Sequence, residues 1–199
     1  MDIAYTHLVS HQSSREGARV HLAVLHTVEG DTTLESLGNV FDNEEASSHF
    51  GSDKEGRIAR YVEDSAKAWT QCNFNPVCLS LEQAGFAAWS EKDWFRRHAQ
   101  LEAAARFVLY AHNKHGVPIR KGKVSGGGVV RDGVVQHKDL GLIGCGHSDC
   151  GPGYPQGYVE LLARYWDARD NGNKRNVKKL GKKVNRWRKR YGIGEAPTQ

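Results

Sequence analysis

Residues 19–25 read RVHLAVL, a nearly continuous apolar run rich in branched side chains. Such a run suits a strand covered on both faces, because only there do consecutive side chains all leave water. The acids and glycine of HTVEG, directly behind it, mark the turn out of the sheet. His26 therefore closes a rigid strand, where a scaffold can hold a ligand at the rim of a site. VCLSLEQAG (77–85) is another candidate strand, and SSHFGSDKEGRIARYVED (47–64) reads as strand, glycine turn and strand. From Thr33 to Phe41 the leucines and Phe41 sit at helical spacing. Residues 91–114 predict one long helix, opened by a capping box at Ser90 and Asp93. Along it Phe95, Leu101, Ala104, Val108 and Ala111 are read as helical periodicity. HGVPIR (115–120) turns into a short strand, GGGVVRDGVVQH (126–137) suggests a hairpin before His137, and a further helix starts near Gly157. This succession predicts an α/β domain with a mixed sheet.

Charge divides the chain after RDNGN. Residues 171–199 carry ten Lys+Arg and one acid, whereas residues 1–170 carry 18 Lys+Arg and 22 acids. The catalytic or binding body is thus 1–170, mildly acidic, and 171–199 is a basic tail. Within the tail Val177, Leu180, Val184, Trp187 and Tyr191 recur at intervals of 3, 4, 3 and 4, an amphipathic helix. Two readings stay open: a helix docked on its own domain with solvated lysines, or an electrostatic grip on an anionic surface. The acidic body speaks against nucleic acid as a partner, although Trp187 and Tyr191 among cations could stack on bases. Nothing approaches the roughly 18 apolar residues of a membrane span. The opening MDIAYTHLVSHQSS has neither a basic region nor an apolar core, so cytoplasmic synthesis without a secretory signal is expected.

Cys72 lies near Cys78, and Cys145 near Cys150, with no CxxC among them. Local pairing permits two small disulfides, which would place the working protein outside a reducing cytosol. Buried free thiols are the alternative, for Cys78 above all. Of ten histidines, His7, His11, His98, His112 and His115 fall in tails or on helix surfaces, and His21 sits within a strand. His26 and His137 differ, since each ends a strand-like run. With one donor from the loop ending HSDC they meet the three-ligand count of a catalytic zinc site.

LAVLHTVEG, ASSHFGSDKEGRIARYVED, LSLEQAGFAAWSEKDW, VVQHKDLG and HSDCGPGYP occur in that order. Together they resemble the zinc-dependent N-acetylmuramoyl-L-alanine amidases of the amidase-2 and peptidoglycan-recognition type. The nearest likeness is to amidase domains of actinobacteriophage endolysins, over roughly residues 15–165. The resemblance implies a central mixed β-sheet flanked by helices, with Zn2+ in a groove that takes the glycan-linked peptide. It implies His26, His137 and Asp149 as zinc ligands. In DCGPGYP, Cys150 stands at the place of the usual proline, and it becomes the ligand if the register slips by one. A Cys145–Cys150 disulfide would remove it from that role. Glu82 matches the family's catalytic glutamate, a general base and then acid. His147 falls where relatives carry an oxyanion-stabilising lysine, or else is an exposed loop histidine. His49 matches a histidine that is structural or faces substrate, and Ser48 replaces a tyrosine used by some phage amidases. Thr70 follows Trp69 where many relatives have a Trp-His pair, which implies altered substrate contact there or another residue in the histidine's place.

The implied substrate is peptidoglycan, cut between N-acetylmuramic acid and L-alanine. The implied setting is a phage or prophage endolysin, made in the host cytoplasm and reaching the wall through a partner pore. The basic tail adds an anionic cell-wall polymer as a possible partner. The rival is a peptidoglycan-binding module without catalysis; such modules lose a zinc ligand, whereas three candidates and Glu82 remain here.

Overall fold

The computed structural model describes residues 1–197. In chain order these form β1 (Tyr5–Thr6), β2 (Gln12–Ser14), β3 (Leu22–Thr27), α1 (Leu34–Asn43), β4 (Phe50–Ser52), β5 (Ile58–Arg60) and β6 (Ala66–Ala68). A 3-10 segment (Cys72–Val77), β7 (Cys78–Gln83), α2 (Glu91–Arg96) and α3 (His98–His115) follow. Then come β8 (Lys123–Ser125), β9 (Gly128–Arg131), β10 (Gly133–Gln136), a second 3-10 segment (His137–Gly144), α4 (Gln156–Asp170) and α5 (Lys174–Arg190).

Six strands form the main sheet in the order β1-β5-β4-β7-β3-β10, in which only the β4–β5 pair is antiparallel. All six residues of β3 are buried, so the apolar run does lie inside a sheet covered on both faces, between β7 and β10. Strand side chains alternate between faces. Ala23, Leu25, Leu79 and Leu81 therefore meet α2, α3 and α4 in the largest core cluster. Leu22, Val24 and Cys78 point the other way, onto Phe74 and Leu140 of the two 3-10 segments. His26 and Glu82 follow the parity of this second face. Helix α1, N-capped by Thr33, packs Leu34, Leu37 and Phe41 against Tyr61. Gly51 of β4 makes that approach possible, since a Cβ there would stand 2.6 Å from Leu37 and 2.8 Å from Tyr61.

The helix expected over 91–114 is broken at Arg97 (φ −107°, ψ 38°), whose N–H turns to the Trp94 carbonyl. The capping box at Ser90 and Asp93 is present. The break lets Trp94 and Phe95 both enter the core while α3 takes its own direction along the sheet. The N-terminal stretch is not a tail either: β1 pairs with β5, and β2 with β6 in a separate two-stranded sheet. The hairpin expected within 126–137 lies earlier: β8 pairs with β9 around Gly126 and Gly127, both at positive φ as such a tight turn requires, while β10 before His137 joins β3 in parallel instead.

The basic tail forms α5, with Val184 fully buried and Leu180, Trp187 and Tyr191 packed on the main core. Phe95 stacks on Tyr191 with ring centroids 4.1 Å apart. Arg188 alone among the tail's cations turns inward, donating to Glu102 at 2.7 Å and to the Tyr158 hydroxyl at 3.1 Å.

Candidate metal centre

Strand register assembles the site. β3 and β7 run parallel with His26 directly beside Glu82, and β10 pairs Gln136 with Leu25. His137, the next residue, therefore leaves the sheet next to His26. The loop after the second 3-10 segment returns Asp149, whose carbonyl accepts from the Lys138 N–H at 2.8 Å. Its Oδ2 accepts from the Thr27 N–H at 3.2 Å. His26 Nδ1 lies 3.4 Å from Asp149 Oδ2, and His137 Nδ1 3.3 Å from Asp149 Oδ1. One ligand-type atom from each of His26, His137 and Asp149 falls within 4.8 Å of the others. Glu82 Oε1 is 3.8 Å from His26 Nδ1.

The protonation states suit a cation. Burial pushes His26 down to about 4, against the pull of Asp149, so its ring is neutral at pH 7. Burial acting alone would raise Asp149, but the His137 and His26 rings beside it outweigh burial and hold the carboxyl well below the usual range. Glu82 is pushed up to about 8, first by burial and then by the charges of Asp149 and Glu29. His26 Nδ1 and Glu82 Oε2 are buried without a hydrogen-bond partner. A buried lone pair left open beside an ionised carboxylate is what a bound metal would complete. Two imidazoles and one carboxylate fit zinc.

Each histidine is also held from behind. His137 donates its Nε2–H to the Gly144 carbonyl at 2.7 Å. His26 Nε2 lies 3.2 Å from the Gln71 side-chain amide, whose Oε1 is otherwise unpartnered. With Oε1 toward the ring it accepts the Nε2–H, and both histidines then present Nδ1. Gln71 precedes Cys72 and Gly144 precedes Cys145, and these two cysteines form a disulfide. Of the readings left open by the sequence, the two local disulfides are not formed; one long-range bridge stands instead. Cys78 and Cys150 are free and fully buried, and a local partner would have to pull either out of the core. Cys150 Sγ sits 3.9 Å from the Gln83 amide, burial pushes its thiol well up, and it lies outside the three-residue cluster.

The cluster floors an open groove of about 540 Å³. Leu37, Val40 and Phe41 form one wall, and Trp69, Thr70 and Asn75 another. Exposed His147 stacks on the His137 ring with centroids 4.4 Å apart. Thr70 lines the groove and donates its hydroxyl to the Ser47 carbonyl. His49 is corrected from a substrate-facing position to a structural one. It is fully buried and absent from the groove lining, and it accepts from Arg15 Nη2 at 2.7 Å while its Nδ1 meets Ser80 Oγ at 3.0 Å. Arg15 in turn donates to the Asp64, Pro76 and Cys78 carbonyls, which binds three segments together beneath the sheet. Gln71 has no signature in the sequence; only its position against His26 marks it.

Burial, helped by the Arg15 charge, pushes His49 down to about 3. An unfolded imidazole titrates near 6.5, so below that pH the unfolded chain binds protons that the folded state refuses. Stability of the metal-free protein is thus expected to fall as pH drops from about 6.5 toward 4, with His26 and His49 each contributing up to about 1.4 kcal/mol per pH unit. His49→Gln keeps an acceptor for Arg15 and is expected to flatten the slope of Tm against pH over that window. An unchanged slope would show that His49 takes no part in it.

A mixed sheet flanked by helices, with a three-donor cluster and a buried carboxylate at the floor of a groove, defines a hydrolase-type α/β domain. The chain belongs to the N-acetylmuramoyl-L-alanine amidase family, which matches residues 16–153. Among solved structures, a selenomethionine derivative of AmpD is similar with a TM-score of 0.62 at 14% identity, covering 79% of this chain and 92% of that one. The N-acetylmuramoyl-L-alanine amidase LysC of Clostridium intestinale gives 0.58 at 15% identity, covering 77% and 89%. The endolysin amidase LysCS of the same organism gives 0.58 at 14%, covering 82% and 97%. At these identities the likeness is one of fold. No curated protein sequence matches the chain.

Proposed function

We propose that the chain is a zinc-dependent peptidoglycan hydrolase that cleaves the amide between N-acetylmuramic acid and the L-alanine of the stem peptide, as the endolysin of a phage or prophage. The observation that carries this is the meeting of His26 Nδ1, His137 Nδ1 and the Asp149 carboxylate beside Glu82, in an open groove of a chain from this family.

His26, His137 and Asp149 would hold the ion, with Gln71 and Gly144 fixing the two imidazole tautomers from behind. When bound, zinc supplies Lewis acidity to an amide carbonyl and acidifies the water beside it. Glu82, with one carboxyl oxygen unpaired, accepts a proton from the attacking water and returns it to the leaving amine of L-alanine. The desolvation that raises its carboxyl favours the second half of that exchange. His147, exposed beside His137, would donate an N–H to the tetrahedral oxyanion. Thr70 keeps lone pairs free for a substrate N–H, since its own hydrogen goes to Ser47. The Cys72–Cys145 bridge supports work outside a reducing cytosol. No described helix is long and apolar enough to cross a membrane.

The test is digestion of purified peptidoglycan followed by mass spectrometry, with untreated, chelated and zinc-restored protein. Free stem peptides with an N-terminal L-alanine, beside intact glycan strands, are expected, lost on chelation and regained with zinc. Wall binding with no released peptide would replace this reading with the non-catalytic binding module. Release of glycan fragments instead would reassign the bond.

A further inference from the structure

Nine cations of α5 take no part in docking the helix. Lys174, Arg175, Lys178, Lys179, Lys182, Lys183, Arg186, Lys189 and Arg190 are all exposed. Among the described residues none of them lies within 4.0 Å of a carboxylate, and the helix contains no acid. At 100° per residue they occupy one continuous arc of about 180°, along roughly 24 Å of axis. Val177, Leu180, Val184, Trp187, Arg188 and Tyr191 fill the opposite arc and face the body. Like charges packed this densely repel one another, and the molecule supplies no counter-charge for them.

The structure narrows what could. Trp187 and Tyr191 are stacked on Phe95, at 5.6 and 4.1 Å between centroids, and Arg190 lies against the Trp187 ring. Phe95 covers one face of each ring, so neither offers the fully open platform on which bases stack in single-strand binding. The apolar arc is spent on α4 and the core, so nothing remains to insert into a bilayer, as an interfacial helix must. What is left is a straight, purely electrostatic face. Six of its nine cations are lysines, point charges on flexible stems that suit a mobile phosphodiester better than a rigid planar anion.

We infer that α5 is a docking rail for a linear wall polymer that repeats phosphodiester groups. The inference takes only the location of that polymer from the proposed function. α5 sits with the helices on the Leu25 and Leu79 side of the sheet, and the His26 and Glu82 side chains follow the opposite parity. A polymer on the rail therefore leaves the groove open, and holding it raises the effective concentration of wall substrate at the site.

The probe is immobilised poly(glycerol phosphate), bound by the full chain at a series of salt concentrations. The variant is Lys178→Gln, Lys182→Gln, Arg186→Gln and Lys189→Gln together, at the middle of the arc; glutamine has nearly the helix propensity of lysine, and circular dichroism checks the fold. Binding is expected to weaken steeply with salt. In the variant the slope of log K against log salt should lessen by about 3, from about 0.7 per neutralised charge, and affinity at 0.1 M salt should fall at least about tenfold. Equal binding by variant and parent would overturn the inference. So would tighter binding to single-stranded DNA of equal phosphate count, or to vesicles with an anionic lipid, each of which would hand the face to another partner. Hydrolysis is not measured, so failure of the amidase reading leaves this result interpretable.

Discussion

Replacing Glu82 with glutamine is expected to lower kcat on peptidoglycan by about 10²–10⁴, the usual worth of a positioned acid–base group. Zinc binding and the fold should survive. The reason lies in how Glu82 is held: burial pushes its carboxyl up to about 8, and its Oε2 has no partner. In the metal-free protein it is therefore neutral at pH 7, and a neutral amide of the same shape removes no paired charge. Asp149→Asn is the contrast, because that carboxylate is fixed by His26, His137 and the Thr27 N–H. The same shift sets a sign for stability. Between about pH 4.5 and 8 the unfolded chain releases the Glu82 proton while the folded state keeps it, so the Glu82 contribution to metal-free stability falls as pH rises through that window, opposing the two histidines below about pH 6.5 and acting without them above it. Glu82→Gln removes that fall and should raise the metal-free Tm at pH 8 relative to the parent. A kcat within tenfold of the parent's would take Glu82 out of the chemistry, whatever the Tm does.

What the sequence disclosed follows from the range over which each signal acts. The buried strand at β3, the capping box at Ser90 and the stripe along α5 are written in neighbouring residues, and periodicity reads them. The mixed sheet with flanking helices follows from their order. The break at Arg97 is harder to read, because no glycine or proline marks it; its one trace is that Phe95 falls off the face shared by Leu101, Ala104, Val108 and Ala111, and ending α2 there lets Trp94 and Phe95 both reach the core. β1 and β2 are two and three residues long, too short for alternation to register, and they exist because β5 and β6 offer edges. At the candidate centre, His26 and His137 stand out locally because each ends a strand. Their meeting with Glu82 is a matter of strand register, which no single segment specifies. Gln71 and the Cys72–Cys145 pairing are further removed, since both depend on two 3-10 segments 73 residues apart arriving side by side. Nearness in sequence favours Cys78 and Cys150 as partners, and burial in the core vetoes both.

Opening the Cys72–Cys145 bridge is expected to cost about 4 kcal/mol of stability, the loop-closure entropy of so long a span, and to weaken zinc binding by about 10–100-fold. The first effect would follow from any bridge of this length. The second is specific to its position, one residue beyond Gln71 and one beyond Gly144, the groups that face the rear nitrogens of His26 and His137. Released from each other, the two segments can drift. Either imidazole is then free to turn or change tautomer, and the buried Nδ1 lone pairs no longer converge on Asp149. A Cys72→Ser, Cys145→Ser double variant and mild reduction of the parent should agree, because the remaining cysteines are already free thiols. Zinc affinity is read by competition with a coloured chelator at a temperature where both forms stay folded. If the Tm falls while the zinc isotherms coincide, the bridge supports the fold alone and the histidines are held by their other contacts. If both move, and Gln71→Ala reproduces the zinc effect with little change in Tm, the bridge acts on the metal through the groups beside it.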